Sequence, residues 1–100
     1  MAALRQRDRS GADAYWTDSW DGYAGARQRL LAHLRDQRVP NPVVIGGDIH
    51  SFWVTDLQVE PREGAPVVAS EFVGTSMTSP SIPYEAFARF LPENPHVRFF

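Results

Sequence analysis

Apolar positions along this chain repeat at two different spacings, and the change from one to the other marks out the expected elements. From Ala24 to Arg38, Ala26, Leu30 and Leu34 recur at helical spacing with Leu31 beside them, while Arg27, Gln28, Arg35 and Asp36 face elsewhere. This predicts a helix, with Arg38 placing positive charge in its last turn and Pro40 and Pro42 stopping it. Val43-Val44-Ile45 is then an unbroken apolar run, the pattern of a strand covered on both faces. Phe52 to Val59 alternates loosely and reads as a second strand, closed by the turn-rich Glu60-Pro61-Arg62-Glu63-Gly64. Val67 to Val73 is a third, with Glu71 as its single carboxylate. Pro83 to Leu91 reads as a short helix with Phe87, Phe90 and Leu91 inward, and Val97 to Phe100 as the start of another strand.

The fold class is therefore α/β, but burial does not close within it. Two or three strands read as covered on both faces, and only one good amphipathic helix is available to cover them. A strand over Val97 to Phe100 also leaves Phe99 and Phe100 at a free end. The expectation is a piece of a larger α/β protein, or a chain that pairs with a second copy or with another chain.

Composition narrows the classes. A chain of 100 residues with 43% apolar residues is one globular domain at most. It contains no Cys, which rules out disulfides, zinc–thiolate clusters and a thiol nucleophile. A net charge of -2 removes the electrostatic case for nucleic acid or an anionic membrane, and no apolar run is long enough to span a bilayer. Arg5, Arg7 and Arg9 are followed by Ser10-Gly11-Ala12-Asp13 rather than an apolar stretch, so residues 1–14 are expected to be a solvated, flexible lead-in and not a secretion signal.

Candidate chemistry gathers after the first strand, in Gly46-Gly47-Asp48-Ile49-His50. The glycines remove side chains where the backbone turns or approaches something closely. With an extended backbone through Ile49, Asp48 and His50 share a side, and a carboxylate beside an imidazole past a strand's carboxyl end suits a hydrolytic metal centre. Such a pair also occurs as a hydrogen-bonded turn. Tyr15-Trp16-Thr17-Asp18-Ser19-Trp20-Asp21-Gly22-Tyr23 is either a pocket wall or a loop whose rings pack on the core while Ser19 or Asp21 caps the following helix; buried aromatics being common anchors, packing is the expectation. Glu71 is either a site residue or an edge residue paired with Arg. The hydroxyl-rich Gly74-Thr75-Ser76-Met77-Thr78-Ser79 either holds phosphate oxygens or forms turns. His33 is expected at the surface.

Four segments in order resemble one family: Asp18-Ser19-Trp20-Asp21-Gly22-Tyr23 with Arg27 and Leu30; Asn41 to Ser51 around Gly46-Gly47-Asp48-Ile49-His50; Glu71 to Ser79; and Asn94-Pro95-His96-Val97-Arg98-Phe99-Phe100. They are similar to the C-terminal part of the PhoD-type alkaline phosphatases, of the metallophosphoesterase group, over residues 15–100. The resemblance implies a partial metallophosphoesterase-like α/β sandwich, its sheet incomplete, and an activity of metal-dependent phosphomonoester or phosphodiester hydrolysis with iron and calcium. Family members usually work outside the cytoplasm.

Residue by residue, the resemblance implies Asp48 and His50 as metal ligands, with His50 otherwise steadying the phosphate and so serving catalysis. It implies Trp20, Asp21, Tyr23, Thr75 and Ser76 as walls or supports of a phosphoester site. The family's upstream ligand motifs, including a Trp-Asp-Asp-His-type element, are absent from these 100 residues. One Asp and one His cannot hold the two or three ions such a site implies, because each ion needs several ligands in fixed geometry. The isolated chain is thus expected to be inactive; the other reading is a non-catalytic module that associates with a partner or with itself.

Overall fold

The computed structural model describes residues 6–7, 9–81 and 83–100. Part of the lead-in, residues 1–5 and 8, lies outside them. Strand β1 (Gln6–Arg7) pairs antiparallel with β2 (Asp13–Ala14), so the rest of the lead-in forms a small hairpin. A 3-10 turn at Trp20–Tyr23 leads directly into helix α1 (Ala24–Asp36). Strands β3 (Val43–Gly46), β4 (Trp53–Leu57) and β5 (Ala69–Val73) follow, then helix α2 (Tyr84–Ala88), a 3-10 turn at Leu91–Glu93 and strand β6 (Val97–Phe99). The four later strands make one mixed sheet in the order β3-β5-β4-β6, with β3 parallel to β5 and the other pairs antiparallel. Strand β4 pairs with β6 across an irregularity at Val54/Thr55, and the Asp56 amide donates to the His96 carbonyl at 2.8 Å.

Alternation divides the sheet cleanly. Trp53, Thr55 and Leu57 of β4 and Ala69, Glu71 and Val73 of β5 are buried on one face. Two apolar clusters lie on that face. Leu31 of α1 meets Leu57 and Ala69, with Leu34, Val44 and Val59 around them. Trp53, Val73 and Phe87 form the second, with Ile49, Phe90, Val97 and Phe100. Phe100 is drawn into this second cluster, its ring centroid 4.3 Å from Trp53 and 5.1 Å from Phe87. The buried polar pair Thr55 and Glu71, opposite each other in register, lies on the same face.

Three expectations are corrected here. Helix α1 does not bury Ala26 and Leu30, which are exposed; it turns Arg27, Leu31 and Leu34 toward the sheet. The cause is the 2.7 Å pair between Arg27 Nη1 and Asp21, in which both side chains are almost completely covered. Helix α1 also ends two residues before Arg38, which adopts φ 51 just beyond it. The Arg38 and Val39 amides donate back to the carbonyls of Arg35 and Leu34, at 3.0 Å each, which satisfies the last turn. In that turn the Arg35 guanidinium, 2.8 Å from the Asp36 carboxylate, holds the Asp36 carboxyl below its ordinary value. Finally, β3 is covered on one face only: Val43 and Ile45 are exposed, with Ile45 at 84%.

Candidate functional site

Strands β3 and β5 run parallel, so their carboxyl ends lie side by side, and the Gly74 amide donating to the Gly46 carbonyl at 3.0 Å extends the pairing one step further. The two chemically promising loops therefore leave the sheet together: Gly47 to Phe52 from β3, and Gly74 to Ser79 from β5. This is where α/β sheets place their sites.

The first loop is not extended. Asp48 has φ 73 and His50 φ 58, both left-handed conformations that non-glycine residues seldom adopt. The expected side-by-side presentation on an extended strand is thus replaced by a turn in which Asp48 and His50 alternate with Ile49. Ile49 packs against the Trp53–Val73–Phe87 cluster and pins the turn to the core. Ser51, itself buried, adds a second anchor, accepting from Trp53 Nε1 at 2.8 Å while its hydroxyl faces the Ile49 carbonyl at 3.4 Å. Asp48 is left exposed and His50 half-buried. Left-handed non-glycine residues cost on the order of 1–3 kcal/mol each and persist where the surroundings over-determine them. Here the surroundings are Ile49 and Ser51.

The second loop holds Thr75 and Ser76 half-buried, with the Ser76 hydroxyl donating to the Ser79 carbonyl at 2.6 Å. One hydroxyl is therefore already engaged in a turn.

A cleft of about 220 Å³ opens beside the end of β3, lined by Gly46, Gly47, Trp20, Arg27 and Glu71 among others. Glu71 is 3% exposed on the central strand β5, which excludes the edge position considered for it. Trp20 thus does reach the end of the strand. Its neighbours separate from it. Asp21 is buried against Arg27 and contributes to a larger cleft of about 620 Å³ with Tyr15, Asn94 and His96, while Tyr23 projects into solvent. The aromatic segment as a whole is more exposed than core packing requires: Tyr15, Trp16, Trp20 and Tyr23 all keep large accessible areas. Of the two expected caps, Ser19 accepts from the Asp21 amide at a long 3.4 Å, while the Asp21 carboxylate accepts from Arg27 Nη1 at 2.7 Å. Arg27 itself lines both clefts, and its Nε makes no hydrogen bond among the described residues. Sequence reading placed Arg27 on the outer face; the signal that could have found it was an Asp six residues upstream, across a helix start.

The donor types of Asp48 and His50 fit a metal ion. Among the described residues, however, no group of three or more His, Cys, Asp or Glu side chains stands close enough to hold one. The two side chains supply fewer donors than an ion needs. His33 is exposed, and no helix among the described residues is long and apolar enough to cross a membrane.

Comparison with known proteins agrees with this architecture. The family model described as PhoD-like phosphatase matches residues 1–100. Alkaline phosphatase D of Bacillus subtilis (strain 168) is 37% identical over 95 residues, covering 91% of this chain and 16% of the relative. A solved structure of PhoD superposes with a TM-score of 0.80 at 35% identity, over 93% of this chain and 19% of that one. The chain thus spans less than a fifth of the length of these relatives. With the family model matching the whole chain and the mixed sheet and its helices superposing on PhoD, the chain belongs to the PhoD-like phosphatase family.

Proposed function

We propose that this chain serves metal-dependent phosphoester hydrolysis, of the alkaline phosphatase or phosphodiesterase kind, and contributes part of the metal centre rather than the whole. One observation carries the reading. Asp48 and His50 are held in two left-handed positions at the carboxyl end of a parallel strand pair, in a member of a phosphatase family. Strain of this kind, fixed by Ile49 and Ser51, keeps a carboxylate and an imidazole presented rather than packed.

In this reading Asp48 and His50 are ligands to iron or calcium, and His50 has the further role of steadying a phosphate oxygen. Metal ions bound there supply Lewis acidity toward the phosphate oxygens and a more acidic water. The chain's own residues do the rest. Trp20 forms a wall beside Gly46 and Gly47, and Asp21 holds Arg27 at the floor of that cleft. Tyr23, Thr75 and Ser76 stand outside the lining of that cleft and in this reading serve the phosphoester only as outlying supports. Gly46 and Gly47 add no side chain of their own to that cleft, whose wall at Gly46 is the Val73 methyl and the Glu71 carboxylate.

The test is a chimera in which these 100 residues replace the matching region of alkaline phosphatase D. The chimera is expected to hydrolyse an aryl phosphate in the presence of iron and calcium. Asp48→Ala and His50→Ala are each expected to lower kcat/KM at least about a hundredfold. Retention of full turnover by either variant overturns the assignment.

A further inference from the structure

Ser51 follows His50 directly and is buried, although its side chain is polar. Its hydroxyl is engaged on two sides. It accepts from Trp53 Nε1 at 2.8 Å and donates to the Ile49 carbonyl at a longer 3.4 Å. The indole that makes the first bond has no room to swing. Trp53 is fully enclosed, with the Phe100 ring centroid 4.3 Å and that of Phe87 5.1 Å from its own. The Ser51 oxygen is therefore fixed from the core, by a ring at the start of β4.

The second bond runs from residue 51 back to residue 49, so it closes a small ring of atoms across His50. Both backbone torsions of His50 lie inside that ring. Because the peptide group is planar, holding the Ile49 carbonyl also holds the His50 nitrogen. His50 stands at φ 58, a conformation that a residue with a Cβ keeps only when its surroundings impose it. Burial of Ile49 fixes where the turn sits, but leaves the peptide plane beyond it free to rotate. The hydroxyl link removes that freedom, as short polar side chains do when they bond to nearby backbone in turns. We infer that Ser51 is a positioning residue: its hydroxyl, fixed by Trp53, sets the backbone of His50 and with it the direction in which the imidazole is presented. Its part in turnover rests on the phosphoester reading above, whereas its hold on the His50 backbone does not.

Two measurements on Ser51→Ala test this. In the isolated chain, the NMR scalar coupling between the His50 amide and α protons reports φ, and it is expected to leave the left-handed value. In the chimera with alkaline phosphatase D, kcat/KM toward an aryl phosphate is expected to fall at least about tenfold, as when a partner that orients a ligand is removed. Ser51→Ala also strands the buried indole N–H, which lowers Tm by about 5 °C. Leu34→Ala, in the separate cluster under α1, controls for that loss. It is expected to lower Tm comparably while leaving the His50 coupling and kcat/KM unchanged. If Ser51→Ala does not fold, Trp53→Phe keeps a ring in the core, deletes the N–H that fixes the hydroxyl, and is expected to shift the same coupling. An unchanged His50 coupling overturns the inference, and so does an equal loss of kcat/KM in Leu34→Ala. Unaltered kcat/KM in Ser51→Ala, where His50→Ala lowers it, also overturns it. A shifted coupling in a chimera whose turnover neither Asp48→Ala nor His50→Ala lowers upholds the hold on His50 and overturns the phosphoester reading instead.

Discussion

At the scale of single residues, backbone conformation decides more than side-chain type. Gly22 shows this most simply: a Cβ there would collide with the Thr17 carbonyl oxygen, a backbone atom that cannot give way without moving the loop. Gly22→Ala is therefore expected to destabilise the chain by about 2 kcal/mol, read as a fall of roughly 10 °C in Tm. Asp48 and His50 make the complementary point. Their identities and spacing were legible in the sequence, and so was their place after a strand, though not that strand's exposure. Their left-handed φ values were not, because an extended Asp-x-His and a turned one have the same sequence pattern. What separates them is the anchoring of Ile49 in a cluster built from Trp53, Val73 and Phe87, the last two distant along the chain.

Among the elements, existence and type could be read from periodicity, while orientation could not. All four strands of the main sheet and both helices fall where the pattern placed them; β3 runs one residue further, to Gly46, and the others are shortened by one to several residues at their ends. Helix α1 is rotated from the expected stripe because its Arg27 pairs with Asp21, which precedes the helix, and so turns a charged position inward. Counting apolar residues gives a polar Arg no weight on the buried face. The helix's carboxyl end carries a second departure, Arg38 at φ 51 in the position that glycine usually fills. Both backbone hydrogen bonds of the termination motif are present, from Arg38 to Arg35 and from Val39 to Leu34, so the geometry is fixed and only the residue is strained. Arg38→Gly is expected to raise the unfolding free energy by about 1 kcal/mol in a urea titration, with the slope unchanged.

For the molecule as a whole, the decisive quantity is how much of the sheet is covered. Helix α1 and the Phe87–Phe100 cluster cover one face, and Ile45, Phe72 and Phe99 on the other stay exposed. The shortage of covering helix was visible in the sequence as a mismatch between strands and amphipathic turns. The site follows the same logic: two donors at one sheet end, in a chain that spans less than a fifth of its relatives' length. The isolated chain supplied with iron and calcium is therefore expected to show no aryl phosphate turnover above that of its Asp48→Ala variant. Turnover that the substitution abolishes would mean that these 100 residues assemble a complete centre by themselves.

The Trp53–Ser51 hydrogen bond has an optical consequence. Trp53 is 1% exposed and fixed by its indole N–H, whereas Trp16 and Trp20 lie open to water at 67% and 45%. A soluble quencher will therefore remove the emission of Trp16 and Trp20 first and leave a residual blue component from Trp53. Because Trp53 is bonded to the turn that carries Asp48 and His50, that residual light reports on the turn itself. Binding or strain at the candidate centre can then be followed by fluorescence in the unlabelled protein.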